Sequence, residues 1–121
     1  GRAVRRVEAK SSSFGWDKSH CRWVLHFSHI KLSEFDDLVL IVHAPWGVEL
    51  WEYKLEELVG FVRATDCAGG TLRLYGPCGQ ACLKSSWTSS LRSRMACAAV
   101  HIATLPWDHA LVSSCLKLFR P

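Results

Sequence analysis

No apolar run in this 121-residue chain approaches the length of a membrane span, so a membrane-embedded helix is excluded from the expectation. No internal repeat or low-complexity stretch is present, which excludes a solenoid and argues against a disordered tail. No acidic residue precedes Glu8. Gly76-Pro77-Cys78-Gly79 lacks the Gly-Lys-Ser/Thr ending of a phosphate loop. Cys78 and Cys82 lack a second ligand pair at zinc spacing, and His101 and His109 do not complete one. With no secretory leader legible, the six cysteines read as reduced, mostly buried thiols of a cytoplasmic protein.

What is present fits one domain over residues 1–121, with 49% hydrophobic and 21% charged residues. Six tryptophans are spread along the chain and imply a packed core with an aromatic rim, where Trp16, Trp46, Trp51 and Tyr53 are expected to stay partly exposed. The net charge of +4 gathers at Arg2, Arg5, Arg6 and Lys10 and again over residues 84–94. That excess is compatible with a polyanion such as DNA without demanding one.

Hydrophobic patterning predicts a first strand from residue 2 or 3 to residue 10, then a serine-rich loop over residues 11–19. Residues 20–27 alternate, with Cys21, Trp23, Leu25 and Phe27 on the apolar face and His20, Arg22, Val24 and His26 on the other. The apolar run of residues 38–43 reads as a central strand covered on both faces. Ala44-Pro45-Trp46-Gly47 then turns it into a partner strand over residues 48–53, with Glu49, Trp51 and Tyr53 in one phase. A short helix is expected over residues 54–62, a loop over 63–70 and a strand over 71–75 with Leu72 and Leu74 facing in. Trp87, Leu91, Met95 and Ala98 fit one face of a helix capped by Ser85 or Ser86, passing into strand near residues 100–104. A last helix begins at Pro106-Trp107-Asp108, where Trp107 would staple onto Val112. The fold class is α+β, a mixed sheet of four to five strands with a central hairpin and helices packed against it.

In an extended segment Glu8 and Lys10 share a face, and Val7 and Ala9 share the other. By itself this pattern describes a solvated ion pair as readily as a site. The combination Val7-Glu8-Ala9-Lys10-Ser11-Ser12, the aromatic strand of residues 23–27, Phe35-Asp36-Asp37-Leu38-Val39-Leu40 and the hairpin of residues 47–51 resembles the PD-(D/E)XK, or restriction-endonuclease-like, nuclease superfamily. The resemblance covers the first half of the chain and implies a truncated form of that core. It implies a Mg²⁺ held by Glu8 and the carbonyl of Ala9, with Lys10 orienting the attacking water. Ser11 or Ser12 would contact the DNA backbone, and Arg22 and His26 would line the same cleft. The superfamily also takes an Asp from a preceding strand, which this chain lacks. It is therefore expected to be either the later part of a nuclease domain or a separate protein whose first part is lost. Asp17, Glu34, Asp36 and Asp37 are the acids available as substitutes. The competing expectation is a non-catalytic α+β binding or assembly module. Under both, an exposed sheet edge or aromatic patch predicts a homodimer.

Overall fold

The computed structural model describes residues 4–54, 63–65 and 69–110, with side chains at 63–65 and 69 left aside. All but Lys54 of the helix expected over residues 54–62, and the greater part of the last helix, with Val112, lie outside the described residues.

Residues 38–42 form the structural centre. β4 (Asp37–Ala44) lies between β1 (Val7–Ser13), which it pairs in parallel, and β5 (Gly47–Tyr53), which it pairs antiparallel. Leu38, Leu40, Val42 and Ala44 point into the core with at most 2% exposure, while Val39, Ile41 and His43 are half-buried on the far face. Full burial on one face and partial burial on the other accord with a run that is continuously apolar and β-branched. Pro45 and Trp46 turn the chain into β5. Gly47 takes φ +142, and a Cβ there would collide with the carbonyl oxygen of Leu105 on β8 (Ala99–Leu105). Only glycine meets both conditions. β8 pairs antiparallel with β5 and completes a mixed four-stranded sheet, in the order β1-β4-β5-β8.

A second four-stranded sheet, wholly antiparallel, has the order β2-β3-β7-β6, from β2 (Gly15–Asp17), β3 (Arg22–Ile30), β6 (Arg63–Thr65) and β7 (Gly69–Tyr75). The α+β class and the mixed sheet are as expected, but the strands divide between two sheets instead of one. Leu25, Phe27, Ile30, Leu72 and Leu74 of the second sheet share one core with Leu40, Val42, Trp51 and Tyr53 of the first.

A helix closes that core. It runs as α1 (Leu83–Ser86), a π-turn (Trp87–Leu91) and α2 (Arg92–Ala98), and it buries Trp87, Leu91, Met95 and Ala98 as their spacing predicts. The residue before its first turn is Cys82, which makes no side-chain cap, and Ser86 is buried inside the helix instead of capping it. Lys54 ties the end of β5 to the helix C-terminus: its N–H donates to Ala98 O at 2.9 Å and its Nζ to Ala96 O at 2.9 Å. A cation suits that negative end of the helix dipole.

Several expected boundaries move, and pairing is the reason. β1 starts at Val7 and continues to Ser13 because Ser11 and Ser13 pair with Ile41 and His43. A ladder partner outweighs the weak strand propensity of serine. Glycines 69 and 70, expected in a loop, are drawn into β7 by pairing with Thr65 and Ala64. Cys21 lies in a turn at φ +47 and is exposed, outside the apolar face expected for it. Cys78, Cys82 and Cys97 are likewise exposed free thiols, where burial was expected. Trp51 and Tyr53 are buried at 1% and 5%, against the partial exposure expected, whereas Trp16 keeps 39%.

Candidate functional site

β1 is an edge strand whose residues alternate in exposure, with Glu8, Lys10 and Ser12 half-buried and Val7, Ala9, Ser11 and Ser13 exposed. Its register sets Glu8 beside Leu38, Lys10 beside Leu40 and Ser12 beside Val42, so these three polar side chains edge the core-facing side of the sheet. Glu8 Oε1 and Lys10 Nζ are 3.6 Å apart, with side-chain exposures of 42% and 26%. The expected pairing of carboxylate and ammonium on one face is therefore present, with both groups open to solvent.

The remaining residues proposed for the site divide. Ser12 shares the face of Glu8 and Lys10, and its hydroxyl donates to Ser13 O at 3.2 Å. Ser11 faces the other way, as does the side chain of Ala9, whose carbonyl was the expected ligand. Arg22 and His26 alternate with the buried Leu25 and Phe27 of β3, and so lie on the side of the second sheet turned from the core. Arg22 is held there by Asp17 at 3.2 Å and lies 4.0 Å from the centre of the Tyr75 ring. His26 sits opposite Arg73. Desolvation lowers its pKa first, and the charges of Arg73 and His29 add to the effect.

Each acid considered as a second ligand is committed elsewhere. Asp37 takes a bidentate pair of hydrogen bonds from Arg5 at 2.7 and 2.8 Å, and it pairs with Val7 on the face opposite Glu8. That bond, with the Arg5 charge, holds the Asp37 carboxyl below its ordinary value. Asp36 accepts the Arg6 N–H at 2.7 Å. Glu34 lies 3.9 Å from Lys31, and Asp17 is shared by His20 and Arg22. Among the described residues no group of three or more His, Cys, Asp or Glu side chains is arranged to hold a metal ion. Mg²⁺ takes about six oxygen ligands, keeps several as water and is held by one or two carboxylates with substrate phosphates completing the shell, and here, among the described residues, Glu8 is the one carboxylate left for it. The described residues do not fit the metal by themselves.

A second polar cluster was not recognised from sequence. Glu49 is buried at 3% exposure. Its Oε2 accepts the indole N–H of Trp46 at 2.7 Å and its Oε1 that of Trp51 at 3.3 Å. His101 Nε2 lies 3.8 Å from Oε1 and 2.8 Å from Thr104 Oγ1. Trp87 packs edge-on against Trp51 with ring centres 6.2 Å apart and tilted against Trp46 at 6.0 Å, and Lys84 Nζ lies 4.0 Å from the centre of the Trp46 ring. The signal was the β5 alternation, which puts Glu49 in phase with Trp51 and Tyr53. The ladder runs Ser12, Val42, Glu49 across three strands, so Glu49 stands two strands over and two inward-facing positions along from Glu8. Strand geometry makes that roughly 16 Å, too far for one metal ion. Glu49 fastens the hairpin turn to β5, with His101 of β8 beside it, and the helix packs on the two tryptophans it holds.

No family model, no curated protein and no solved structure matches this chain.

Proposed function

We propose that this chain is a nuclease-like protein, or a fragment of one, that engages the phosphodiester backbone of DNA through the edge strand β1. The observation that carries the reading is the Glu8–Lys10 pair, side by side at 3.6 Å on one partly solvated face. Lys10 supplies a compact positive charge for a non-bridging phosphate oxygen. Glu8 supplies the adjacent carboxylate. Any further metal ligand comes from outside the described residues, so the reading assigns to these residues the phosphate-facing half of a site.

The test has two readouts. Anisotropy with a labelled duplex is expected to show binding that weakens in Lys10→Ala, with the salt dependence falling by about one phosphate contact. Nicking of supercoiled plasmid with Mg²⁺ is expected to be lost in both Glu8→Ala and Lys10→Ala. If Lys10→Ala leaves binding unchanged and neither variant alters cleavage, the reading fails.

One observation favours a second reading, a non-catalytic module that assembles with another copy. β8 is the other edge of the mixed sheet, and Val100 and Ile102 on it are 54% and 53% exposed. An uncharged, partly β-branched edge is a template for strand pairing. Sedimentation should then show a dimer at micromolar concentration that Ile102→Lys dissociates, and a monomeric wild type would sink this reading.

A further inference from the structure

The side of the second sheet turned from the core is basic and carries an aromatic ring. β3 and β7 lie at its centre, and their antiparallel register sets Val24 beside Tyr75 and His26 beside Arg73. Arg22 reaches diagonally across the same face, with its guanidinium carbon 4.0 Å from the centre of the Tyr75 ring and its Nε 3.2 Å from Asp17 Oδ2. Its side chain keeps 23% exposure, so solvent still reaches the stacked guanidinium. His26 and Arg73 are exposed.

A β-bulge extends the patch. From Phe27 to Ile30 the chain of β3 takes three steps, while β7 takes two from Leu72 to Gly70. Phe27 and Ile30 both stay in the core at 1% exposure, and the extra residue is absorbed with His29 at φ +59. A residue with a Cβ is uncommon there, and a bulge re-aims the side chains it carries. His29 is left exposed, close enough to His26 for its charge to act on that ring, as the charge of Arg73 also does. β3 and β7 carry no carboxylate, and Asp17 of β2 is already shared by His20 and Arg22. Like charges gathered on one face repel one another, and a bound polyanion relieves that repulsion.

We propose that this face binds single-stranded nucleic acid. It is a separate surface from the β1 edge, and the inference stands without the reading given for that edge. Arg73 meets a backbone phosphate with a charged, forked set of donors. A base stacks on the Arg22 guanidinium, which Tyr75 and Asp17 hold in place, and the ring nitrogens of His26 and His29 are available to base edges and phosphate oxygens. A duplex keeps its bases stacked inside and would leave the Arg22–Tyr75 platform unused, whereas an unpaired strand offers a π-face at every nucleotide.

Fluorescence anisotropy tests this with labelled oligo(dT) and oligo(U) of about ten nucleotides, a length within the range one small domain covers. Saturable binding of at least one is expected, and the tighter arm identifies the sugar. Arg73→Gln, at an exposed strand position, is expected to keep the fold by circular dichroism and to flatten the plot of log affinity against log salt by about 0.7, the value of one single-strand phosphate. Arg22→Lys keeps the charge and removes the planar group, and is expected to weaken binding about tenfold. Lys10→Ala is expected to leave this binding unchanged, which separates it from the duplex contact assigned to β1. Failure of both oligonucleotides to bind would overturn the inference. Competition by polyglutamate as strong as by unlabelled oligonucleotide would also overturn it, since the bases would then contribute nothing. So would an affinity that Lys10→Ala lowers while Arg22→Lys and Arg73→Gln leave it as it was.

Discussion

Trp46 donates its indole N–H to Glu49 at 2.7 Å, across the turn that separates β4 from β5. A second indole, that of Trp51, donates to the other carboxylate oxygen. A buried carboxylate is tolerated when hydrogen bonds replace its water, and Glu49 has two indole N–H donors, with the His101 ring 3.8 Å away.

Glu49→Ala removes the acceptor and leaves the buried Trp51 N–H without its partner. The expected cost is about 3 kcal/mol, the range for losing hydrogen bonds to a charged group and stranding a buried donor. Glu49→Gln keeps one acceptor oxygen and is expected to cost about 1 kcal/mol. Urea denaturation followed by tryptophan fluorescence measures both. An alanine variant as stable as the wild type would show that the cluster contributes nothing.

Acid should weaken the fold through Asp37 and Asp17. The Arg5 hydrogen bond lowers Asp37, and burial raises Asp17 less than its bonds to His20 and Arg22 lower it. A carboxyl whose folded pKa lies below the ordinary 3.8 contributes stability that is fully present above that value. The contribution is lost as pH falls through the folded pKa. Melting temperatures recorded from pH about 5 downward should therefore drop below pH about 4, and Asp37→Asn and Asp17→Asn should each flatten the drop. Wild-type and variant profiles that run parallel would rule out this source.

Gly76 and Ser86 are coupled by contact. A Cβ on Gly76 would collide with Ser86 Oγ, and that hydroxyl is buried with no hydrogen-bond partner among the described residues. Ser86→Ala alone should be neutral or stabilise by about 1 kcal/mol, because an unsatisfied hydroxyl leaves the core. Gly76→Ala alone should destabilise by about 2 kcal/mol through overpacking. The double variant should recover more than half of that loss, a coupling readable from a denaturant double-mutant cycle. Strict additivity would mean that the two positions do not meet.

Periodicity made the hairpin, the core strand β4 and the buried stripe of the helix legible, since each buries one face with a fixed repeat. Glu8 and Lys10 were legible for the same reason: a period of two decides which side chains are neighbours. The division into two sheets was not, because it depends on which strands pair, and Ser11 or Gly70 joins a strand only when a partner presents its ladder. Glu49 was placed in the correct phase, yet its partners come from a turn, a neighbouring position and a distant strand. Local pattern carries no term for the last of these. The exposed cysteines show the limit of residue-type averages, since Cys21 and Cys78 occupy turns at the end of a sheet.

His26 is expected to titrate below an ordinary imidazole. Desolvation of its ring is the first cause, and the positive charges of Arg73 and His29 are the others. A histidine with a depressed folded pKa favours the neutral form, so the unfolded chain binds the proton first as pH falls. Its contribution is present above the ordinary 6.5 and is lost between 6.5 and the folded pKa. Removing a neighbouring charge should narrow that window. In Arg73→Met the His26 midpoint, followed by the shift of its ring protons in NMR, should rise part of the way toward 6.5, since desolvation remains. The loss of stability as pH falls below about 6.5 should shrink with it, and His26→Gln should remove that part of the slope. A midpoint that does not move in Arg73→Met would mean that the cross-strand pairing of β3 with β7 does not bring these two charges together.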